Sequence, residues 1–134
     1  MRKKPKPKKP KRPIKKPIKK PIKGQAQTKG IFFANCNPSD PQPHEKHGDK
    51  MIFGTNETGV TYTVTWPIGS PFTGFLNPGD QFDVSGGSPV TQKVDKTARN
   101  NGFAYPYTLA KNGVACNLGG GGPGGGGGDV IIDP

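Results

Sequence analysis

The chain has 134 residues, of which 20 are Lys or Arg and nine are Asp or Glu, and only 29% are hydrophobic. This length and composition fit one domain with a modest core, because ordinary globular domains are about 45–50% apolar with glycine counted. No apolar run approaches the roughly 18 residues of a membrane span, and the N-terminus lacks the apolar stretch of about 7–15 residues that a secretory signal needs. The sequence therefore predicts a soluble, cytoplasmic protein.

The first 30 residues differ in composition from the rest. They hold 14 of the 20 Lys and Arg residues and none of the acidic ones, so residues 31–134, with six cations and nine carboxylates, carry a net charge of −3. Proline recurs every fourth residue at Pro13, Pro17 and Pro21, which forbids a stable helix. Because like charges also repel, we predict a disordered, extended tail over residues 1–30 and a folded domain over residues 31–134.

The tail is the predicted binding element. Duplex DNA carries a phosphate charge about every 1.7 Å, so an extended row of cations suits nucleic acid or another polyanion, without base specificity. The predicted polyanion-binding residues are Arg2, Lys3, Lys4, Lys6, Lys8, Lys9, Lys11, Arg12, Lys15, Lys16, Lys19, Lys20 and Lys23. The tail resembles the Lys/Pro-rich tails of linker-histone-like proteins. An anionic membrane surface, an SH3-type proline ligand and plain solubilisation stay open as alternatives.

Short strand patterns follow one another after the tail, and no segment shows the periodicity of an amphipathic helix. The clearest strand covers residues 60–66, where Val60, Tyr62, Val64 and Trp66 share one face. We expect this strand to be central and the core to form against its tryptophan. The other predicted strands cover residues 31–36, 51–53, 81–84, 90–94, 103–109 and 130–132. Within 103–109, Pro106 must turn its nitrogen toward an edge, a bulge or a bend.

The connections complete the predicted architecture. Residues 51–53 and 60–66 are close enough to form a hairpin through a turn-rich segment. Residues 39–49 read as a polar loop. The tract 119–128, all glycine except one proline, reads as a flexible linker before the last strand. About seven short strands therefore predict an all-β fold, a small Greek-key β-sandwich.

A series of features in chain order resembles the cupredoxin-like β-sandwich. They are an early strand, the Thr/Val/aromatic strand, the turn at residues 77–80, the run 102–107 leading to Cys116 and the terminal run 129–132. The resemblance spans about residues 30–134. It implies a cupredoxin-like or immunoglobulin-like sandwich. In copper-binding members, a type 1 site takes a Cys and a His close after the strand equivalent to 103–109, usually with a Met, plus a His further upstream. This sequence has neither His nor Met after Cys116, so we expect no cofactor.

One segment gathers the metal-capable side chains. His44 and His47 are three residues apart, whereas the helical zinc-protease signature places them four apart. A solvated polar loop is therefore the predicted role. A weak transition-metal site formed by His44, His47 and Asp49 or Cys36 is the alternative.

Cys36 and Cys116 are the only cysteines. Since a disulfide requires an oxidising compartment and no export signal is seen, two buried thiols are the favoured interpretation. A disulfide between them and a reactive thiol stay open.

No arrangement of Ser, His and Asp and no recognisable pair of carboxylates is present, so we predict that the chain is not an enzyme. Two functions of different classes stay open. In the first, the chain is a non-enzymatic tether whose cationic tail attaches to nucleic acid or another polyanion, while the sandwich presents a binding surface. In the second, it is a cupredoxin-like metal-binding or redox protein.

Overall fold

The computed structural model describes residues 26–116 and 127–134. The described strands are β1 Thr28–Ala34, β2 Asn37–Pro38, β3 His44–Glu45, β4 Lys50–Thr55, β5 Thr61–Trp66, β6 Asp80–Ser85, β7 Val90–Lys93, β8 Phe103–Lys111, β9 Val114–Ala115 and β10 Gly127–Ile132. These ranges contain strands and no helix, which confirms the all-β prediction. Accordingly, they include no helix long and apolar enough to cross a membrane. Most of the predicted tail and of the predicted glycine linker lie outside the described residues.

The strands form two sheets. Sheet A has the order β2-β1-β4-β7, and β1 runs parallel to β4. Sheet B has the order β3-β10-β8-β5-β6, with β9 pairing to β8. The buried side chains of both sheets form one hydrophobic cluster, as expected for a sandwich in which two inner faces meet. The predicted two-sheet β-sandwich is therefore confirmed.

The core forms around β5, as its alternation predicts. Tyr62, Val64 and Trp66 are fully buried, and the threonines between them are half-buried. The Trp66 ring centroid lies 5.0 Å from that of Tyr107 and 5.6 Å from that of Phe72. The predicted position of Trp66 is confirmed, although the middle strand of sheet B is β8 and not β5.

The predicted hairpin between residues 51–53 and 60–66 is wrong. β4 pairs with β1 and β7 in sheet A, whereas β5 pairs with β6 and β8 in sheet B. Phe53 and Tyr62 are both fully buried, because the two strands contribute to the core from opposite sheets. The turn between them therefore carries the chain from one sheet to the other.

Two strand boundaries differ from the sequence prediction. β1 begins at Thr28 rather than at residue 31, and the chain is already held at Gln27, whose carbonyl accepts the Lys50 N–H at 2.8 Å. β10 begins at Gly127, inside the predicted flexible linker. A Cβ on Gly127 would lie 2.0 Å from the carbonyl oxygen of Tyr107. Glycine is needed there because another backbone comes so close.

The predicted polar loop at residues 39–49 contains β3, which pairs in parallel with β10. It is therefore partly an edge strand of sheet B and not a wholly solvated loop. Pro106 was predicted to lie where its nitrogen has no strand to pair with, and the strand pairing agrees. It pairs with Asp129 of β10, and the pairing of β5 with β8 stops at Thr108.

Candidate functional site

The predicted polyanion-binding residues, all between positions 2 and 23, lie outside the described residues. Lys29, which follows them, belongs to β1 rather than to the predicted tail. Its Nζ donates to the carbonyl oxygen of His44 at 2.7 Å. Lys29 therefore joins β1 of sheet A to β3 of sheet B, just after the cationic segment ends.

The three weak metal candidates each make a different contact. His44 Nδ1 lies 3.0 Å from Asp133 Oδ2. His47 Nε2 donates to the carbonyl oxygen of Ala98 at 2.7 Å, since a carbonyl can only accept. Asp49 is almost fully buried and accepts backbone N–H groups. Within residues 26–116 and 127–134, no three His, Cys, Asp or Glu side chains are grouped as a metal ion would require.

Glu45 is a buried carboxyl that the sequence reasoning missed. Only 1% of it is exposed, and neither carboxyl oxygen has a hydrogen-bond partner within the described ranges. Burial raises the pKa of Glu45 to about 7; Lys29 opposes this effect and Asp49 adds to it. Glu45 can therefore gain or lose a proton near neutral pH. No local pattern marks it, because its burial depends on the pairing of β3 with β10, far away in sequence.

Cys36 and Cys116 form a disulfide, with their Cα atoms 5.5 Å apart. Of the three states that the sequence left open, the structure has this one and not the favoured pair of thiols. Asn35 and Cys36 both have positive φ, at 51° and 66°, so the chain turns sharply where β1 ends. Since Cys116 directly follows β9, the bridge links an end of sheet A to an end of sheet B.

A polar cluster lies beside the disulfide. The Tyr62 hydroxyl accepts the Cys36 N–H at 3.1 Å and donates to Glu57 Oε1. Lys111 Nζ donates to Glu57 Oε2 at 3.0 Å. The bond from Tyr62, followed by that from Lys111, lowers the pKa of Glu57. Burial, followed by the bond to Glu57, raises the pKa of Tyr62.

Near neutral pH these shifts favour an ionised Glu57 and a protonated Tyr62, and the bond to Glu57 also raises the pKa of Lys111. The cluster braces the turn that carries Cys36 through the hydrogen bond from the Cys36 N–H to the Tyr62 hydroxyl. Sequence reasoning missed it because its three members come from separate segments and meet only in the folded sandwich. The prediction that the chain is not an enzyme stays a prediction.

The disulfide also determines whether the chain can form the type 1 copper site that its resemblance to cupredoxins implies. A type 1 site needs a thiolate, but the sulfur of Cys116 is bonded to Cys36. Neither His nor Met follows Cys116 in the sequence. The residues present therefore do not fit a type 1 copper site.

The described ranges define a protein of the all-β class, a two-sheet sandwich closed by a disulfide. No family model matches the chain, and no curated protein matches it. Similar solved structures include amicyanins, which are cupredoxins. A reduced Cu(I) form of one amicyanin variant is 14% identical with a TM-score of 0.49, covering 78% of this chain and 80% of that one. A second variant, in its reduced state, is 12% identical with a TM-score of 0.48, covering 84% and 85%.

Proposed function

We propose that this chain is a non-enzymatic tether. Its N-terminal cationic segment attaches to a polyanion, and its disulfide-bonded sandwich is the folded body held there. The observation that carries this proposal is the charge distribution, with 14 of 20 Lys and Arg and no acidic residue among the first 30 positions. Solubility alone does not require such segregation, since the sandwich already has a net charge of its own.

The attachment of the segment to the sandwich supports this proposal. Gln27 N–H donates to Asp49 Oδ1 at 2.8 Å, and the Gln27 carbonyl accepts the Lys50 N–H at 2.8 Å. From Thr28 onward the chain pairs with β4. A polyanion bound by residues 2–23 would therefore be connected to the sheet through only a few intervening residues.

The disulfide bears on where the tether works. Disulfides persist in oxidising places such as cell and virion surfaces and are rare in the reducing cytosol. The cytoplasmic location stays a prediction, and we infer that the Cys36–Cys116 bond favours a compartment outside the reducing cytosol. Blocking free thiols at the moment of cell lysis would test this inference. If Cys36 and Cys116 are bonded in the cell, the blocking reagent should leave both unmodified. Modification of both thiols would contradict the inference.

Salt dependence of binding tests the tether. Each phosphate neutralised on duplex DNA makes log K fall by about 0.9 per decade of salt. If roughly half of the cations engage, the slope is near −6, and affinity falls by about three to four orders of magnitude between 50 and 200 mM salt. Fluorescence anisotropy with two unrelated labelled duplexes should give the same slope.

A set of charge variants gives the control. Replacing Lys15, Lys16, Lys19 and Lys20 with Gln should make the slope shallower by up to about 4. Replacing the same four with Arg, which keeps the charge, should leave the slope unchanged. Equal binding by the Gln variant, or a strong preference for one duplex, would overturn the tether.

The second function, a cupredoxin-like metal or redox protein, stays a separate hypothesis. Metal analysis of the purified protein distinguishes the two. Stoichiometric copper or zinc would support the second function, and metal-free protein that binds duplex DNA would support the first.

A further inference from the structure

The outer face of sheet A combines lysines with an exposed aromatic ring. Ile31, Phe33, Met51 and Phe53 point into the core, so the residues that alternate with them along β1 and β4 point outward. With the outward residues of β7, the outer positions are Thr28, Gly30, Phe32, Ala34, Lys50, Ile52, Gly54, Thr91 and Lys93. This set, hereafter the outer face of sheet A, contains two lysines, one exposed aromatic ring and no carboxylate.

Phe32 lies flat on this face. A Cβ on Gly30 would meet its ring at 3.0 Å, and a Cβ on Gly54 would meet it at 2.9 Å. The ring therefore covers the backbone of both β1 and β4, which only glycine permits at that distance. Since 46% of Phe32 is exposed, its opposite side is open to solvent.

The two lysines stand directly opposite each other. Lys50 of β4 is the cross-strand partner of Lys93 of β7, and like charges in that relation destabilise a sheet. The ion pairs within the described ranges are His44–Asp133 and Lys111–Glu57, so neither lysine has a carboxylate partner there. A phosphate between the two amines would remove their repulsion.

The outer face of sheet B has the opposite character. Its outward positions include Asp83 of β6 and Asp129 of β10 together with threonines of β5, and its described strands place no Lys or Arg among them. Of the two outer sheet faces, only that of sheet A therefore combines lysines with an open aromatic ring. An anionic ligand with a flat ring matches this face and not the outer face of sheet B.

We propose that the outer face of sheet A binds single-stranded nucleic acid, with a base stacked on Phe32 and backbone phosphates at Lys50 and Lys93. Along β4, Lys50 and Gly54 are about 13 Å apart at roughly 3.3 Å per residue, so the ligand is an oligonucleotide rather than a lone phosphate. Stacking needs an unpaired base, because a duplex keeps its bases inside. Aromatic platforms flanked by cations are the general means of such binding.

This inference rests on the proposed polyanion function and names the ligand of the folded body. The full chain is titrated with a labelled oligothymidine 20-mer, a duplex of equal length and a sulfated polysaccharide. Phe32→Leu keeps an apolar cover over the two glycines and removes the aromatic ring. It should weaken oligothymidine binding at least about fivefold, the low end for a lost base stack, and leave duplex binding unchanged.

Two further variants complete the test. Lys50→Gln with Lys93→Gln should make the oligothymidine salt slope shallower by about 1 to 2. Ile68→Ala, which trims another exposed apolar side chain, should change neither affinity nor thermal midpoint. Unchanged oligothymidine binding by Phe32→Leu, an equal loss on the duplex, or a polysaccharide affinity that depends on Phe32 would overturn the proposal.

The two proposals fail separately. If the Gln variant of Lys15, Lys16, Lys19 and Lys20 binds the duplex as well as the parent does, the tether is wrong. Loss of oligothymidine binding in Phe32→Leu would still support this face as a reader of single strands. Normal tail-dependent duplex binding together with normal oligothymidine binding by Phe32→Leu would overturn this inference alone.

Discussion

Glu45 buries its carboxyl beside the carboxylate of Asp49. Asp49 accepts the N–H of Gln27 at 2.8 Å and that of Lys46 at 2.8 Å, whereas Glu45 has no donor within the described ranges. Burial raises the pKa of Glu45 to about 7, and the neighbouring Asp49 adds to this effect. The folded protein therefore favours the neutral carboxyl of Glu45 at pH values below about 7.

This arrangement predicts stability that falls toward alkaline pH. The folded-state pKa of Glu45 is raised from 4.5 to about 7, so its contribution is fully present below about pH 4.5 and lost as pH rises through 7. The free energy of unfolding should fall by up to about 3 kcal/mol across that window. Urea titrations at several pH values measure it. Glu45→Gln should flatten the profile, whereas Asp40→Asn, an exposed neighbour, should not. A Glu45→Gln protein that keeps the full slope would refute the assignment.

Removing the disulfide should destabilise the sandwich substantially. The bridge closes a loop of 80 residues, and losing a native disulfide from a small domain costs about 2–5 kcal/mol. Cys36→Ser with Cys116→Ser should therefore show a lower urea midpoint than the oxidised parent. The parent treated with a reductant is the matched control and should shift similarly. Equal midpoints for all three proteins would show that the bridge does not stabilise the fold.

Trp66 should be among the costliest positions to truncate. It is fully buried against Phe72, Phe82 and Tyr107, and truncating a buried aromatic residue to Ala costs about 3–5 kcal/mol. Trp66→Ala is expected to lower the free energy of unfolding by at least about 3 kcal/mol. Trp66→Phe should cost less because it keeps a ring. An effect of Trp66→Ala as small as that of the exposed Ile68→Ala would contradict this account of the core.

The sandwich should fold without the cationic segment, provided that β1 is kept whole. A chain starting at Ala26 retains the two Gln27 hydrogen bonds and all of β1, so its thermal midpoint should equal that of the full chain. A chain starting at Ile31 loses these bonds and three residues of β1. At about 0.5–1.5 kcal/mol per hydrogen bond, it should be less stable by a few kcal/mol. Differential scanning calorimetry compares the two shortened chains with the full chain. Loss of cooperative unfolding in the chain that starts at Ala26 would refute the prediction.

Local patterns predicted the elements whose burial alternates. β5 was found because Tyr62, Val64 and Trp66 recur every second residue, which is the geometry of a strand with one buried face. The pairing partners were not found in the same way. Phe53 and Tyr62 are close in sequence and both fully buried, and nothing local shows that they belong to opposite sheets.

The candidate site was harder to predict because its contacts are long-range. Glu45 is a charged residue of a type that usually lies at the surface, and it becomes buried only when β3 pairs with β10. Glu57 and Lys111 are 54 residues apart, and their side chains meet directly only once β5 has paired with β8. Gly127 was predicted to belong to a flexible linker because a run of identical glycines does not show which of them lies against another backbone.

The position of the Cys36–Cys116 bond sets how the protein responds to mechanical force. A pull between a bound cationic segment and β10 enters through β1 and reaches Cys36 within a few residues. The covalent bridge then passes the load directly to Cys116, so the chain between the two cysteines, which are 80 positions apart, cannot be drawn out. At about 3.4 Å per extended residue, the bridge withholds roughly 270 Å of length. Reduction would release it, so the same chain would be a short, stiff link when oxidised and a long, extensible one when reduced.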